Sequence, residues 1–363
     1  MRMRSVVFIA IASAAATLFI LSVPAEAQVA PPVPRIVQLP AVPAVPAAPT
    51  TPTPPAAVAP VAANEPAAPA IPALPAALAF PGQSRHHSSG VSTRHEGPVS
   101  DCSDLDIRLN DQEVTIESEE QTVSKAQAPV LRVQERTNGG VQLQGWDKDV
   151  YSVTACKAVA ASGGEAQQLQ SQIRLSVQGG EVSVSGPSNH DDWTVFLLIR
   201  TPRVATVDLN AHNGPMSFYS VDGKITARAT NGPISIKDCS GEADISAQNG
   251  PISFSGAGGK LRLHTENGPI SVSLSGGNWS GSELVADAVN GPVTLRVPSG
   301  FQASFVVESE GRSPMSCQAS ICSDARKTWD DEHKRIEYGS GPATIRLSTV
   351  NGPVSVRTLH EEL

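Results

Sequence analysis

The chain is poor in aromatic and basic residues. Phe, Trp and Tyr make up 4% of its 363 residues, and Lys plus Arg number 27 against 35 Asp plus Glu. Nucleic-acid binding wants basic clusters and stacking rings, and a formal charge of -8 offers no basic groove. Cysteine is scarce as well. Cys102, Cys156, Cys239, Cys317 and Cys322 show no CxxC spacing, and the nearest histidine is distant, which argues against zinc. No cofactor is implied. In an oxidising compartment Cys317 and Cys322 can close a small loop, and Cys102 with Cys156 can tie down the start of a domain. Cys239 is then the odd one, and spacing alone does not fix this connectivity.

Arg2 and Arg4 precede an apolar run from Val6 to Val23 and the small-x-small triplet Ala25-Glu26-Ala27. Residues 1–27 therefore read as a secretory signal cut before Gln28. A retained anchor is the alternative for a run of this length; the cleavage triplet and the lack of positive charge after it favour removal. No Cys follows the run, which argues against a lipid anchor. The expected destination is the periplasm, the outer envelope or the exterior, with membrane contact only through the cleaved signal.

Residues 28–100 read as linker. Gln28 to Pro81 is almost wholly Ala, Pro and Val, holds 16 of the 30 prolines, and carries Arg35 and Glu65 as its only charges. Such a tract favours extended polyproline II and, at about 3.1 Å per residue, reaches on the order of 170 Å. It is either a spacer or an inert leader. Ser84 to Ser100 continues as polar linker, where His86, His87 and His95 read as solvated residues.

A repeat dominates the C-terminal half of the chain. Asn213-Gly214-Pro215, Asn231-Gly232-Pro233, Asn249-Gly250-Pro251, Asn267-Gly268-Pro269 and Asn290-Gly291-Pro292 are spaced by 18, 18, 18 and 23 residues, and Asn351-Gly352-Pro353 opens a last copy. A fixed period calls for a stacked architecture. Three and five residues after each Asn the side chains are apolar (Ile234 and Ile236 in one copy), with Ser or Thr between them. Six, four and two residues before it stand a second apolar set that shrinks toward the Asn, such as Leu261, Leu263 and Thr265. Both patterns have the period of two of a half-buried strand. Gly223, Gly241, Gly259, Gly277 and Gly300, ten residues after the Asn, mark a second corner.

Asn-Gly ordinarily announces a tight hairpin, but the residue that should donate its N–H back across the turn is Pro, which has none. A corner between two sheets fits better: Gly takes the unusual angles and Pro starts the next strand. Stacked corners would set Asn above Asn about 4.8 Å apart, close enough for an amide ladder. The expected fold is all-β, a single-chain β-solenoid of about 18-residue coils, with an antiparallel sandwich as the alternative. A coil offering about five small apolar groups, at roughly 0.5 to 2 kcal/mol each, cannot stand alone, so the ends need covers. The domain is expected over 101–358: irregular strands and a short helix near Glu165 to Gln172 in 101–200, regular repeats in 201–300, looser coils in 301–358 closed by Ala343 to Val356, then a tail at 359–363.

Gly139 to Asp147 (GGVQLQGWD), the repeated NGPIS and the closing GSGPATIRLSTVNGPVSV resemble the bacterial putative adhesin family of unknown function, the toastrack-type domains, over about Cys102 to Arg357. The resemblance implies an exported, β-helix-like envelope domain without established catalytic residues. It carries no functional residue over. The Ala/Pro spacer and the cysteines depart from a plain member.

Three functions compete. A polysaccharide-acting enzyme needs paired carboxylates on adjacent coils. Asp208 and Asp244 would instead lie two coils apart with Thr226 between, and the best cluster is His264 beside Asp287 with Arg262 and Glu266 near. A binding or adhesive module, the favoured reading, has its candidate contact in the insertion Asn278-Trp279-Ser280-Gly281-Ser282, where Trp279 and Asn278 on a loop can meet a glycan or an envelope protein, with a Trp folded back over the coil edge as the alternative. The acidic stretch Trp329-Asp330-Asp331-Glu332-His333, beyond the Cys317/Cys322 pair, reads as a hydrophilic loop rather than a cation site. The third is a structural or envelope-regulatory scaffold. Oligomeric state is not legible.

Overall fold

The computed structural model describes residues 90–93, 97–110, 112–136, 138–189, 192–310, 313–329, 333–339 and 342–359. The expected signal, the Ala/Pro tract, His86, His87, His95, Asp330, Asp331, Glu332 and residues 360–363 lie outside them.

Alternating apolar and polar residues on both sides of each Asn-Gly-Pro form two short strands, each dry on one face. Lys224–Asn231 with Ile234–Lys237 is one coil, Glu242–Asn249 with Ile252–Gly256 the next, and Lys260–Asn267 with Ile270–Leu274 the next. Neighbouring copies pair in parallel and in register. Ile225 meets Ala243 and then Leu261, while Ile234 meets Ile252 and then Ile270. The first strand of each coil belongs to a 12-stranded sheet and the second to an 11-stranded sheet. Their dry faces meet, leaving Ile225, Ala227, Ala229, Ile234 and Ile236 no more than 6% exposed. The chain is thus an all-β solenoid, and parallel pairing of successive copies excludes the antiparallel sandwich.

The corners use nearly every polar group they have. Each Asn side-chain amide donates to the amide oxygen of the Asn one coil back, at 2.8 to 3.1 Å, from Asn351 through Asn290, Asn267, Asn249 and Asn231 to Asn213. The run continues to Asn138, which accepts from Asn213 at 2.9 Å. Asn138-Gly139-Gly140 is therefore a further corner, with Gly where the other copies have Pro. The backbone bonds run the opposite way: Gly232 N–H donates to the Asn249 carbonyl and Ile234 N–H to the Pro251 carbonyl, at 3.0 and 2.9 Å. Proline sits at the one corner position that needs no donor. Glycine is required for space. A Cβ on Gly232, at φ +134°, would lie 2.3 Å from the Gly214 carbonyl oxygen of the coil beneath. Small residues before the Asn follow from the same closeness, and where Ala gives way to buried Thr265, the hydroxyl donates to the Gly250 carbonyl at 3.2 Å.

The ends depart from sequential winding. Ile345–Asn351 and Val354–Thr358 were expected to close the stack. They lie instead between the coil Glu283–Asn290/Val293–Val297 and the coil Phe305–Glu310/Met315–Cys317. The chain passes over one slot, lays down an outer coil and the antiparallel pair Arg326–Trp329/His333–Tyr338, then returns to fill the gap. The other end repeats the device. The coil Val130–Glu135/Val141–Trp146 sits between Thr206–Asn213/Met216–Tyr219 and the outer strands Glu181–Ser185 and Trp193–Pro202. Beyond these, antiparallel Val150–Val159 and Thr115–Ser124 extend the 11-stranded sheet and Arg174–Gln178 extends the 12-stranded one. Gln121 ties the two sheets at this end: its amide donates to the Leu175 carbonyl at 2.9 Å and accepts from Val177 N–H at 3.2 Å.

Gly163–Gln172 is the helix of the described residues, and no helix among them is long and apolar enough to cross a membrane. The expected linker gives up its last residues to structure. Gly90–Thr93 pairs with Leu105–Leu109, because Val91 and the buried Val99 and Leu105 find an apolar cluster around Phe196 and Leu198 on the outside of the 11-stranded sheet. The second-corner column also shifts. Gly277 and Gly300 have open space where a Cβ would stand, and Gly281 is the residue that packs on Gly259.

Gly232→Ala should destabilise the domain by at least ~2 kcal/mol in chemical denaturation, because the clash is with backbone, whereas Gly277→Ala should stay within ~0.5 kcal/mol of wild type. Equal effects would contradict the stacked corner.

Candidate binding face

The sequence candidates separate on the structure. Trp279 does not present its ring to a ligand: it is 5% exposed and packs edge-on to Phe254, with ring centroids 6.0 Å apart. The insertion folds inward, and burying the large indole against the core ring of Phe254 removes its apolar surface from water. Asn278 accepts from the Trp279 backbone N–H at 2.9 Å and shapes the turn. Cys102 is bonded to Cys156 and Cys317 to Cys322, with Cα separations of 5.5 and 5.8 Å.

His264 and Asp287 do meet, Nδ1 to Oδ2 at 3.0 Å, and Ser348 on the next coil donates to the other Asp287 oxygen at 2.8 Å. The carboxylate stands between the other two groups, so the imidazole does not reach the hydroxyl it would have to deprotonate. A groove of about 380 Å³ opens beside this row, lined in part by Glu308, Glu310, Lys334 and Arg335. Most of its charges are engaged: Arg335 binds Glu308 and Glu337, Arg346 reaches Glu308 at 3.3 Å, and Lys334 donates to the Ser313 carbonyl at 3.2 Å. The same holds along the outside of the 12-stranded sheet. Lys224, Glu242 and Lys260 alternate on successive coils at 3.7 and 3.3 Å, and the hydrogen bond from Lys260, with the charges of both lysines, holds the Glu242 carboxyl below its ordinary range. Arg228 lies 3.8 Å from Asp208, and Arg262 3.6 Å from Glu283. This is a solvated face of matched charges.

The outside of the 11-stranded sheet differs. Residues 97–102 cross it as a strap. Val99 exchanges two hydrogen bonds with the buried Gln142 amide at 2.8 and 2.7 Å, the Ser100 carbonyl accepts from Arg200 at 3.3 Å, the Gly97 carbonyl accepts from Tyr219 at 3.3 Å, and Cys102 is bonded to Cys156. A short 3-10 turn, Cys102–Asp104, stiffens it: Asp101 accepts from Ser103 N–H at 2.9 Å, which holds the Asp101 carboxyl below its usual range. Under the strap is a cavity of about 230 Å³, lined among others by Ser118, Glu120, Gln144, Ser152, Thr154 and Arg200. The Ser152 hydroxyl donates to Glu120 at 2.6 Å.

Beside the cavity stand two rings. Every aromatic among the described side chains is buried except Trp146 and Tyr219. Trp146 lies two residues along the strand from Gln144, on the same face, and Tyr219 is the register partner of Gln144 on the neighbouring strand. Lys148 sits 4.7 Å and Arg200 5.9 Å from the Trp146 ring centroid, and Lys237 lies 6.0 Å from that of Tyr219. This site was not among those expected from the sequence. The signal was present: Gln144 and Tyr219 each stand six residues after a corner Asn, Asn138 and Asn213, but the first corner lacks its proline.

No protein-family model matches the chain, and no curated protein matches it by sequence. Solved structures similar to it include a "putative adhesin" from Bacteroides fragilis (12% identity, 68% of this chain and 97% of that one, TM-score 0.36). A "putative cell adhesion protein" from Clostridium sporogenes (11%, 68% and 100%, 0.30) and a "putative lipid binding protein" from Parabacteroides distasonis (10%, 68% and 97%, 0.25) are also similar. At these identities and TM-scores the likenesses carry no argument about function, which rests on the chain's own geometry.

Cys239, 3% exposed, packs in the solenoid core, and burial pushes its thiol up to about 11. With so little thiolate near neutrality, labelling of the native protein at pH 8 should be far slower than of the urea-unfolded protein. The unfolded thiol loses its proton first, so the contribution is constant below about 9 and stability falls from there to about 11. Cys239→Ala should remove that alkaline loss; rapid native labelling would contradict the buried placement.

Proposed function

We propose that the chain is an exported, non-catalytic binding module of the cell envelope, with the strap and its two rings on the 11-stranded sheet as the contact surface. The observation that carries this reading is the sorting of aromatics. In a chain with so few, burial takes all the described rings except two, and these two stand together beside a polar cavity on a rigid sheet. Amphipathic rings on a fixed surface are what a partner or a sugar packs against. The two disulfides fit an oxidising compartment, and the resemblance to the adhesin family points the same way. The Ala/Pro tract would hold this face away from its attachment point. Against hydrolysis stand the bridging position of Asp287 and the matched charges of the opposite face.

Purified protein carrying its disulfides should retain material from solubilised bacterial envelopes, and Trp146→Ala/Tyr219→Ala should lose at least ~90% of it, as expected when ring anchors dominate a contact. Equal retention by the double variant, or none by wild type, would overturn the assignment. Asn278→Ala, on the turn that buries Trp279, serves as the variant expected to bind normally.

A further inference from the structure

We infer that the strap site takes an acidic carbohydrate, a chain of sugar rings bearing carboxylate or sulfate groups. The inference rests on the binding face proposed above and names its ligand class. Three features of the site point to it.

The first is unmatched positive charge. Among the described residues no carboxylate lies within ion-pair distance of Lys148, Arg200 or Lys237, whereas Lys224, Arg228, Lys260, Arg262, Arg335 and Arg346 on the other sheet are each paired. The three cations instead lie over the two accessible rings, an arrangement that keeps them at the surface and free to meet an anion. Arg200 is further fixed by the Ser100 carbonyl, so its remaining N–H groups are oriented before a ligand arrives.

The second is the division of labour across the sheet. At one end the parts of the half-buried Trp146 and Tyr219 rings that the cations leave uncovered offer apolar surface to the C–H groups of a sugar. At the other, Ser118, Ser152 and Thr154 offer hydroxyl partners, with Glu120 as an acceptor for sugar hydroxyls, and the Gln144 amide lies between them and the rings. From Ser152 through Arg200 and Gln144 to Tyr219 is three strand spacings, about 14 Å at the usual interstrand distance, a length that holds more than one ring.

The third weighs against the other common anionic surface, a phospholipid bilayer. Insertion needs projecting apolar side chains, and among the described residues Val204 is the one large hydrophobic that is well exposed. A fixed cavity with neutral hydrogen-bonding groups suits a polyhydroxylated ligand.

The test is calorimetric titration of the oxidised, full-length secreted chain with oligomers of polygalacturonate, alginate and heparin, each beside a neutral counterpart (methyl-esterified galacturonate, methyl-esterified alginate, desulfated and carboxyl-reduced heparin). At least one acidic oligomer should bind at least about tenfold tighter than its neutral form, an electrostatic preference that weakens with salt. Arg200→Gln should weaken it by about tenfold and Lys148→Gln by a few-fold, Trp146→Ala should abolish it, and Lys260→Gln, from the matched face, should leave it unchanged. Unaltered thermal melting shows that each variant is folded. Binding of no acidic oligomer, equal binding of charged and neutral forms, or binding to phosphatidylglycerol vesicles alone overturns the inference. Equal binding of both forms that still needs Trp146 would remove the charge preference while leaving the binding face in place; loss of Trp146 dependence in envelope retention would remove both.

Discussion

Stacked glycine corners set the terms for the rest of this molecule. Because each corner glycine lies against the carbonyl of the glycine one coil back, successive coils approach at the spacing of a parallel sheet with no side chain between them. That closeness keeps the two walls in register and brings the asparagine amides within hydrogen-bonding distance of one another. Each such bond contributes on the order of 1 kcal/mol net, and aligned amides strengthen one another. The bonds do not merely add stability. A one-residue slip in either wall would turn its apolar residues outward and take the asparagines out of line, so the ladder and the core specify the same register.

The ends solve the difficulty that any such stack creates. A parallel repeat cut off abruptly leaves a row of unpaired backbone groups on each sheet. Here the coils that terminate the repeat in sequence, with Asn138 and Asn351, each lie inside an outer coil drawn from a different part of the chain. Both edges of each are therefore paired. The antiparallel strands beyond are free of the repeat's constraint and can be polar, as Thr115–Ser124 is with Glu117, Glu119 and Glu120. Closing the ends this way couples residues far apart in sequence, which makes the domain one cooperative unit rather than a row of separable repeats.

Much of this was legible in the residues. Period, alternation and the missing N–H of Pro led directly to two walls and a corner, and the shrinking column of Leu263 to Thr265 foretold crowding at the Asn. What was not legible has physical causes. The placement of 345–358 inside 305–317 rests on long-range pairing that no local pattern encodes. Trp279 on a Gly/Ser insertion read as a candidate contact, yet its ring packs on Phe254 in the core, a tertiary contact that no local pattern encodes. The strap site joins Trp146 to Tyr219, and only the register of Asn138 with Asn213 shows that they are neighbours.

Rigid stacking and surface chemistry are connected, since strands in fixed register set the spacing of Trp146, Tyr219, Arg200 and Lys237 beside the cavity. The most direct measurement of the winding itself is thiol bridging by a short bifunctional reagent in a Cys239→Ala background with the native disulfides intact. Arg296 and Arg357 are register partners, about 4.8 Å apart at the sheet spacing, while Gln318 follows Met315–Cys317 on the coil beyond, about 10 Å from Arg296. Arg296→Cys with Arg357→Cys should bridge rapidly and Arg296→Cys with Gln318→Cys should not. The reverse result, bridging to residue 318 and not to residue 357, would mean that the coils wind in simple sequence and that the account of the ends is wrong.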